Sequence, residues 1–566
     1  MKKLFSFFLL IILFSCQKET STSVDPIEQN TKLKDHSLEF KKGVIEVAKG
    51  VHVAIGYALA NAILIEGEGG NIIVDTTGTI ETATEVKKEF DKINSNPVVA
   101  IIYTHNHGDH IYGAKVFAEN SSPDIYAHRT TQDYINRVLG IVRPIISDRS
   151  SKMFGNRFPL NDITNNGIGP FLEIGRDSRN SGLLVPNITF DEKLNINISG
   201  IEIELIHAPG ETNDQLLVWL PEKKVLLPGD NFYKAFPNLY TIRGTPYRDL
   251  VRWVASLDIM RYLKPEFLIP SHTRPILGKN KIYEALTEYR DGIQYVHDQT
   301  IRLMNKGMTP NQIASQIKLP PKLKDSIYLQ EFYGSPSWSS RNVFSGYLGW
   351  FDGNPTNLHP LDPQEESIKI LQLAGGVERV LSEIKESYEN EDYQWVLQLT
   401  DYLLEYQDNQ EAVDIRISAL NKLAEIQSNP NARYYYLSSA QDLIKPPETT
   451  LLTTPSKELL TQYPIDILFE TLKVNVIPEN ALGNDMRVLF KFTDTNKSFT
   501  LILRNGVLEV QPYALEGSDI QVITVEQTWK EVVVGLRSLP VAIATGSIEV
   551  SGQQLRLISF FNTFKE

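Results

Sequence analysis

Four side chains that can bind a metal ion fall within six consecutive residues. The sequence THNHGDH, which ends at His110, directly follows the apolar run VVAIIY. A looped backbone can aim His105 and His107 at one ion, while Asp109 and His110 lie one turn later and can serve a second ion. So many polar groups beside a buried strand would be unfavourable unless metal ions neutralised and ordered them. The segment therefore predicts a metal centre at the end of a buried strand.

Further candidate ligands stand at the ends of later apolar runs. Glu211 follows the run IEIELI and a Pro-Gly pair, Asp230 ends the run KVLLPGD, and His272 ends the run LIPSH. Folds with mixed helices and strands gather their active sites at strand ends. The order of these residues therefore predicts one site assembled from several strands.

The pattern of apolar residues divides the chain into three structured parts. Residues 36–290 alternate short apolar runs with turns and amphipathic stretches, which predicts an α/β unit with helices covering a sandwich of sheets. Residues 291–445 show the helical period and predict an all-α domain. Residues 446–566 return to alternation, with Asn505-Gly506 as a hairpin signal, and predict a small α+β domain.

The N-terminus has the pattern of a bacterial lipoprotein precursor. Two lysines precede an apolar stretch that ends in LFSC, which resembles a lipobox with Cys16 as the lipidated residue. We therefore expect a signal peptide over residues 1–16 and a flexible polar linker over residues 17–35. The expected location is the bacterial cell envelope, in the periplasm or at the outer membrane, with the lipid anchor as the only contact with a membrane.

The net charge restricts the partners of the chain. A formal charge of −13 argues against nucleic acid, because phosphate binding requires clustered lysines and arginines. An anionic small molecule would need a local positive site, such as metal ions together with an arginine.

The ligand order resembles that of the metallo-β-lactamase superfold, an αββα sandwich, over residues 38–278. The resemblance implies two Zn²⁺ ions per chain. It implies that His105, His107 and Glu211 hold one ion, and that Asp109, His110 and His272 hold the other. It further implies that Asp230 bridges the ions and that Asp75 orients the histidine loop through hydrogen bonds without touching metal.

Several motifs are similar to the alkyl-sulfatase branch of this superfold. They are GYALAN from Gly56, NLYTIRG from Asn238, and YLGWFDGNP from Tyr347, the last typical of the dimerisation domain. The C-terminal part resembles the sterol-carrier-like module of that family. The family usually has PGTEAPAE where this chain has PGETNDQ, so Asp214 is an alternative to Glu211, and the bridging acid is Asp230 where the family has glutamate.

The resemblance implies a zinc-dependent sulfuric ester hydrolase that acts on alkyl sulfates and forms a homodimer. A hydroxide bridging the metals would be the nucleophile, with Asp109 and Asp230 as catalytic carboxylates and with Asn238 and Arg243 binding sulfate. Two alternatives remain: a hydrolase of lactones, β-lactams or phosphoesters, and a non-catalytic lipid-binding lipoprotein. A neutral lactone or lactam gives no reason for Arg243, and a seven-ligand set argues against a mere binding protein.

Overall fold

The computed structural model describes residues 31–176, 181–446 and 464–564. The predicted signal peptide, Cys16 and most of the predicted linker over residues 17–35 lie outside these ranges, so the lipid anchor and the linker stay predictions. Among the helices in these ranges, none has both the length and the apolar character that crossing a bilayer requires.

The N-terminal unit contains two sheets. The first sheet consists of β1 (Gly43–Ala48), β2 (Val51–Ile55), β3 (Ala62–Glu66), β4 (Asn71–Val74), β5 (Val98–Ile102), β6 (Asp124–His128) and β7 (Ile188–Phe190). These strands lie in chain order, antiparallel from β1 to β4 and parallel from β4 to β7. The second sheet consists of β8 (Lys193–Ile198), β9 (Ile201–His207), β10 (Leu216–Leu220), β11 (Val225–Leu227), β12 (Phe267–Leu268) and β13 (Ile276–Leu277). Its order is β13-β12-β11-β10-β9-β8, and only the β11–β12 pair is parallel.

Helices border these sheets. They are α1 (Thr31–His36), α2 (Ile80–Ile93), α3 (Gly108–Ile111), α4 (Ala114–Phe117), α5 (Thr131–Asn136), α6 (Arg143–Met153), α7 (Leu250–Leu263) and α8 (Lys279–Met304). Short 3₁₀ turns cover Ser37–Phe40, Leu160–Asp162, Gly229–Asn231 and Pro355–Leu358, and a π-helical turn covers Arg137–Ile141.

The alternation of side chains explains why both sheets are covered on both faces. In β4, Val74 joins the core between the sheets, while Ile73 points outward and packs with α2. In β10, Val218 faces the same central core, while Trp219 packs on the side of α7 and α8. Because successive strand residues point to opposite faces, an almost continuous apolar run fills two cores at once. The predicted αββα sandwich is confirmed.

The middle of the chain is helical, as predicted. It contains α9 (Pro310–Gln316), α10 (Pro321–Lys324), α11 (Pro336–Leu348), α12 (Pro363–Leu373), α13 (Val377–Glu389), α14 (Tyr393–Tyr406), α15 (Gln410–Glu425) and α16 (Pro430–Ile444). Buried residues of α12 to α16, among them Ile384, Leu403 and Leu420, form one apolar core.

The C-terminal part is a mixed sheet with helices, which confirms the predicted α+β class. It contains α17 (Ile465–Lys473), α18 (Pro478–Ala481), β14 (Met486–Phe492), β15 (Ser498–Arg504), β16 (Val507–Gln511), β17 (Ile520–Thr524), α19 (Glu526–Val533), α20 (Leu539–Ala544), β18 (Ile548–Gly552) and α21 (Gln554–Asn562). The sheet order is β16-β15-β14-β17-β18. Asn505 and Gly506 have φ of 53° and 72° and form the two-residue turn between β15 and β16, as the sequence predicted. The exact domain boundaries stay predictions.

The start of the helical region braces a loop of the N-terminal unit. The backbone N–H of Phe236 donates to Gln330 O (2.7 Å), and the backbone N–H of Gly334 donates to Phe236 O (2.9 Å). A Cβ placed on Gly334 would lie 1.9 Å from Pro237 O. Only glycine therefore allows this close approach of two backbones.

We predict that Gly334→Ala shifts residues 236–238 and lowers the thermal unfolding temperature, because the new methyl group meets a backbone carbonyl rather than a flexible side chain. Differential scanning fluorimetry measures this. Gly43→Ala is the matched control, since a Cβ there meets nothing within 4 Å. Equal unfolding temperatures for the two variants would contradict the close packing at Gly334.

Candidate metal centre

The predicted site residues converge where strands of the two sheets end. Asp75 follows β4, the histidine loop follows β5, Glu211 follows β9, Asp230 follows β11 and His272 follows β12. All of these side chains except parts of the histidine loop are buried. Residues far apart in the chain thus meet in one water-poor space.

The carboxylate of Asp75 organises the histidine loop. Its Oδ1 accepts from the backbone N–H of Thr104 (2.9 Å), and its Oδ2 accepts from Thr104 Oγ1 (2.9 Å), His110 Nδ1 (2.8 Å) and Ser271 Oγ (2.8 Å). Asp75 itself has a left-handed backbone, with φ of 56°. The prediction that Asp75 orients this loop by hydrogen bonds is confirmed.

Three histidines present Nε2 to the centre because their Nδ1 atoms are engaged elsewhere. His110 Nδ1 donates to Asp75, and His272 Nδ1 donates to Leu59 O (2.8 Å). Thr104 Oγ1 gives its own proton to Asp75, so it accepts from His105 Nδ1 (3.0 Å). In the neutral rings Nε2 then carries a lone pair that points into the centre, as metal ligation requires.

The candidate ligand atoms form two groups, and within each group all atoms lie within 4.8 Å of one another. One group consists of His105, His107 and Asp230, and the other consists of Asp109, His110 and His272. Asp230 also reaches the second group, with Oδ2 3.5 Å from His110 Nε2 and 3.2 Å from His272 Nε2. Asp109 Oδ2 lies 3.4 Å from His110 Nε2. Asp230 thus stands between the groups, the position that a bridging carboxylate requires.

The electrostatics of the centre suit a cation. Burial opposes ionisation of Asp109, but His110 and His272 lower its pKa to about 2. Burial likewise opposes charging of His110, but the carboxylates of Asp230, Asp109 and Asp75 together raise its pKa well above the ordinary value. The buried atoms His110 Nε2, His272 Nε2 and Asp230 Oδ1 have no hydrogen-bond partner among the described residues. Divalent ions would satisfy these atoms and balance the carboxylates, so the residues fit a metal centre.

Glu211 is adjacent to the centre but is engaged by other groups. Its Oε1 lies 3.0 Å from Arg248 Nη1, and its Oε2 accepts from Tyr233 OH (3.0 Å). The structure groups His105 and His107 with Asp230 rather than with Glu211. A carboxylate oxygen has more than one lone pair, so these contacts leave Glu211 able to bind an ion as well.

Asp214, the alternative to Glu211, is engaged by another polar side chain. It is fully buried, and its Oδ1 accepts from Asn106 Nδ2 (2.6 Å). Burial raises the pKa of its carboxyl group, and the hydrogen bond from Asn106 opposes that rise. Asp214 is absent from the two ligand groups that the described residues form.

A cavity of about 180 Å³ opens beside the centre. His107, Glu211, Arg243 and Arg248 lie among its lining residues, together with apolar side chains of α6. Arg243 Nη2 lies 3.3 Å from His107 Nε2, and Asn238 is buried with Nδ2 lacking a partner among the described residues. The guanidinium of Arg243 therefore lies where the centre meets this cavity, whereas Asn238 is not among the residues that line it.

Sequence reasoning missed several residues that support the site. Tyr233 OH donates to Glu211 and accepts from the backbone N–H of Asn238 (2.7 Å), which links Glu211 to the segment that carries Asn238. The buried Glu173 accepts from the backbone N–H groups of Leu59 (3.0 Å) and Gly78 (2.8 Å), and burial raises its pKa to about 7. Tyr233 follows Asp230 by three residues, which is a weak sign that it lies near the site. Nothing in the local sequence indicates a role for Glu173.

We predict that Asp75→Asn weakens metal binding by about 10- to 100-fold, the range typical for loss of a group that orients ligands. Asparagine tolerates the left-handed backbone, but its amide N–H₂ would face groups that donate to Asp75. Metal retained against a competing chelator measures the effect. Asp91→Asn is the control, because Asp91 is an exposed partner of Lys87 in α2. Equal metal retention in both variants would contradict the role of Asp75.

Three families match consecutive parts of the chain. The metallo-beta-lactamase superfamily matches residues 56–272, the alkyl sulfatase dimerisation family residues 309–445, and the alkyl sulfatase C-terminal family residues 453–566. Among solved structures, the stereoselective inverting sec-alkylsulfatase Pisa1 from a Pseudomonas species superposes with a TM-score of 0.87 at 26% identity. That comparison covers 94% of this chain and 86% of the other.

Curated relatives agree with the structural match. An (R)-specific secondary-alkylsulfatase of a Pseudomonas species is 28% identical over 92% of this chain and 80% of its own length. A linear primary-alkylsulfatase of a Pseudomonas strain is 33% identical over 88% of this chain and 98% of its own length. Because a relative is matched along nearly its whole length, and all three parts of the chain match the corresponding families, this chain belongs to the alkylsulfatase family.

Proposed function

We propose that this enzyme is a metal-dependent hydrolase of alkyl sulfate esters. The observation that carries the proposal is Arg243, which contacts His107 of the metal centre and lines the adjoining cavity. A fixed positive charge beside a metal centre suits an anionic ester head group, and the apolar residues of the cavity suit an alkyl chain. The relatives named as primary and secondary alkylsulfatases support this substrate class.

We further propose that the centre holds two Zn²⁺ ions. His105, His107 and Asp230 would hold one, with Glu211 as a further ligand, and Asp109, His110 and His272 would hold the other, with Asp230 shared. Imidazole and carboxylate ligands suit zinc. When bound, such ions acidify water and compensate negative charge on the substrate.

The protein's own residues then position the ester. Arg243 offers a planar fork that fits two sulfate oxygens. Asn238 Nδ2, which has no hydrogen-bond partner among the described residues, offers another donor. Asp109 and Asp230 are the proposed catalytic carboxylates, because their oxygens can accept hydrogen bonds from the attacking water and fix its direction. Burial of the centre keeps bulk water from weakening these interactions.

The alternatives predict different responses to sulfate esters. A hydrolase of lactones, β-lactams or phosphoesters would use the same metal centre, but neutral lactones and lactams leave Arg243 without a counter-ion. A non-catalytic lipid-binding protein would release no sulfate at all. Measuring free sulfate from primary and secondary alkyl sulfates therefore separates these functions.

We predict that Arg243→Ala lowers kcat/KM for alkyl sulfates by roughly 30- to 100-fold, since a charge-assisted bidentate contact contributes about 2–3 kcal/mol. Arg243→Lys should recover only part of the activity, because an ammonium cannot reproduce the fork. Sulfate release measures activity, and metal content should equal that of the wild type. Arg261→Ala, in which an arginine paired with Asp258 on α7 is removed, is the control.

Two results would count against this assignment. Full activity of Arg243→Ala on alkyl sulfates would make Arg243 a structural residue or exclude sulfate esters as substrates. Loss of metal from the variant would show that Arg243 supports His107 rather than the substrate.

We also propose that the enzyme is a homodimer assembled mainly through residues 300–440. The match to the alkyl sulfatase dimerisation family over residues 309–445 supports this. Near the end of α11, Tyr347 is 52% exposed and Trp350 is 73% exposed. Large aromatic side chains of this kind are enriched at protein interfaces.

We predict that Trp350→Asp shifts the protein toward the monomer, because a carboxylate would have to be buried in an apolar interface. Light scattering at micromolar concentration gives the molar mass. Tyr262→Asp, at an exposed position of α7 outside the dimerisation region, should leave the mass unchanged. A wild-type protein that is monomeric would contradict the proposal.

A further inference from the structure

The cavity beside the metal centre carries more positive charge than a single sulfate ester can balance. Four arginines line it, namely Arg137, Arg149, Arg243 and Arg248, whereas Glu211 is its only carboxylate among the described lining residues. This contrasts with the net charge of −13 for the whole chain. The local excess of cations therefore points to a ligand rather than to general surface composition.

Arg149 reaches the cavity from helix α6. Val142, Ile145, Ile146 and Arg149 all line the cavity, and their spacing places them on one face of the helix. Ile146 Cδ1 lies 3.2 Å from where a Cβ on Gly244 would be. The α6 face thus forms an apolar wall opposite the loop that carries Arg243, with Arg149 one turn beyond the isoleucines.

Arg137 is exposed to solvent, and the partners of the other three arginines differ. Arg248 is paired with Glu211, and Arg243 contacts His107 at the metal centre. Arg149 is half-buried, has no acidic partner among the described residues, and its buried Nε has no hydrogen bond there. Elsewhere on the same helix, Lys152 pairs with Asp442 at 2.7 Å.

Charge balance assigns Arg149 a ligand of its own. In the proposed function, the sulfate group faces Arg243 and the metal centre. Glu211, the carboxylate that lines the cavity, is paired with Arg248. A partly desolvated guanidinium without a counter-ion is unfavourable. Since Arg149 lies on the wall beside the apolar residues, its counter-ion would be carried by the chain of the substrate.

We propose that Arg149 forms a second anion-binding subsite, which selects sulfate esters that carry another anionic group on the alkyl chain. This inference rests on the proposed function. The second group would be a carboxylate or a second sulfate, both of which a guanidinium binds through two parallel hydrogen bonds.

The test compares ω-sulfooxy alkanoates and α,ω-alkane disulfates of graded chain length with simple alkyl sulfates of equal length. We expect one of the dianionic series to exceed its monoanionic counterpart in kcat/KM by about tenfold or more, the size of one charge-assisted contact. Comparison of the carboxylate series with the disulfate series shows whether the Arg149 subsite prefers a carboxylate or a second sulfate. Arg149→Met, which keeps apolar bulk, should bring the ratio of dianionic to monoanionic kcat/KM close to one.

Lys152→Ala is the matched control, because it removes one positive charge from the same helix at a residue that is not among those lining the cavity. Its selectivity ratio should equal that of the wild type. Arg149→Ala repeats the test if the methionine variant is poorly folded. A wild-type enzyme without preference for any dianionic ester, or an unchanged ratio in the Arg149 variants, would overturn the proposal.

Binding measurements separate this inference from the proposed function. Alkane disulfonates and alkanesulfonates lack the ester bond, so calorimetry measures their affinities without turnover. Preference for the disulfonate that Arg149→Met abolishes would support the subsite even if no sulfate ester were hydrolysed. Equal affinities for the two ligands would reject the subsite whether or not the enzyme hydrolyses alkyl sulfates.

Discussion

The carboxylate of Asp75 ties together three chain segments beneath the metal centre. It binds the backbone and hydroxyl of Thr104, the imidazole of His110 and the hydroxyl of Ser271, which stands directly before His272. Because this carboxylate is fully buried, water does not compete for its hydrogen bonds, and the low dielectric strengthens them. The positions of His105, His110 and His272 therefore depend on Asp75, which itself belongs to neither ligand group.

Negative and positive side chains are concentrated in two adjoining parts of this site. The metal centre concentrates carboxylates and imidazoles, while the adjoining cavity concentrates guanidinium groups. The pair formed by Glu211 and Arg248 lies at the boundary, and Tyr233 links that pair to the backbone of Asn238. This arrangement lets a strongly acidic protein present a local cationic surface to an anionic substrate, because short-range contacts dominate over distant, screened charges.

The helical region does more than add a surface for association. Asn342 of α11 donates to Leu239 O (3.1 Å), and a Cβ on Gly346 would lie 2.1 Å from the ring of Tyr247. The loop that carries Asn238 and Arg243 is thus clamped against α11.

Local sequence determined the class of the fold and the core of the site. Alternating and near-continuous apolar runs predicted the strands of the sandwich, and helical periodicity predicted the middle domain. These predictions succeed because each helix or strand buries its apolar residues at its own structural period, which is visible in the sequence. The spacing of His105, His107, Asp109 and His110 marked the centre, since four ligands within six residues have few other uses.

Tertiary structure decided the features that depend on contacts between distant segments. His272 is oriented by the carbonyl of Leu59, 213 residues earlier in the chain, and Glu211 is engaged by Arg248 and Tyr233 rather than grouped with His105 and His107. The role of α6 as a cavity wall, and the unpaired state of Arg149 among the described residues, follow from packing against the loop of Arg243. Periodicity and spacing act along the chain, whereas the partner of a buried charge is set by which elements the fold brings together. The sequence therefore specified which ligand atoms were present, and the three-dimensional packing specified what each of them faces.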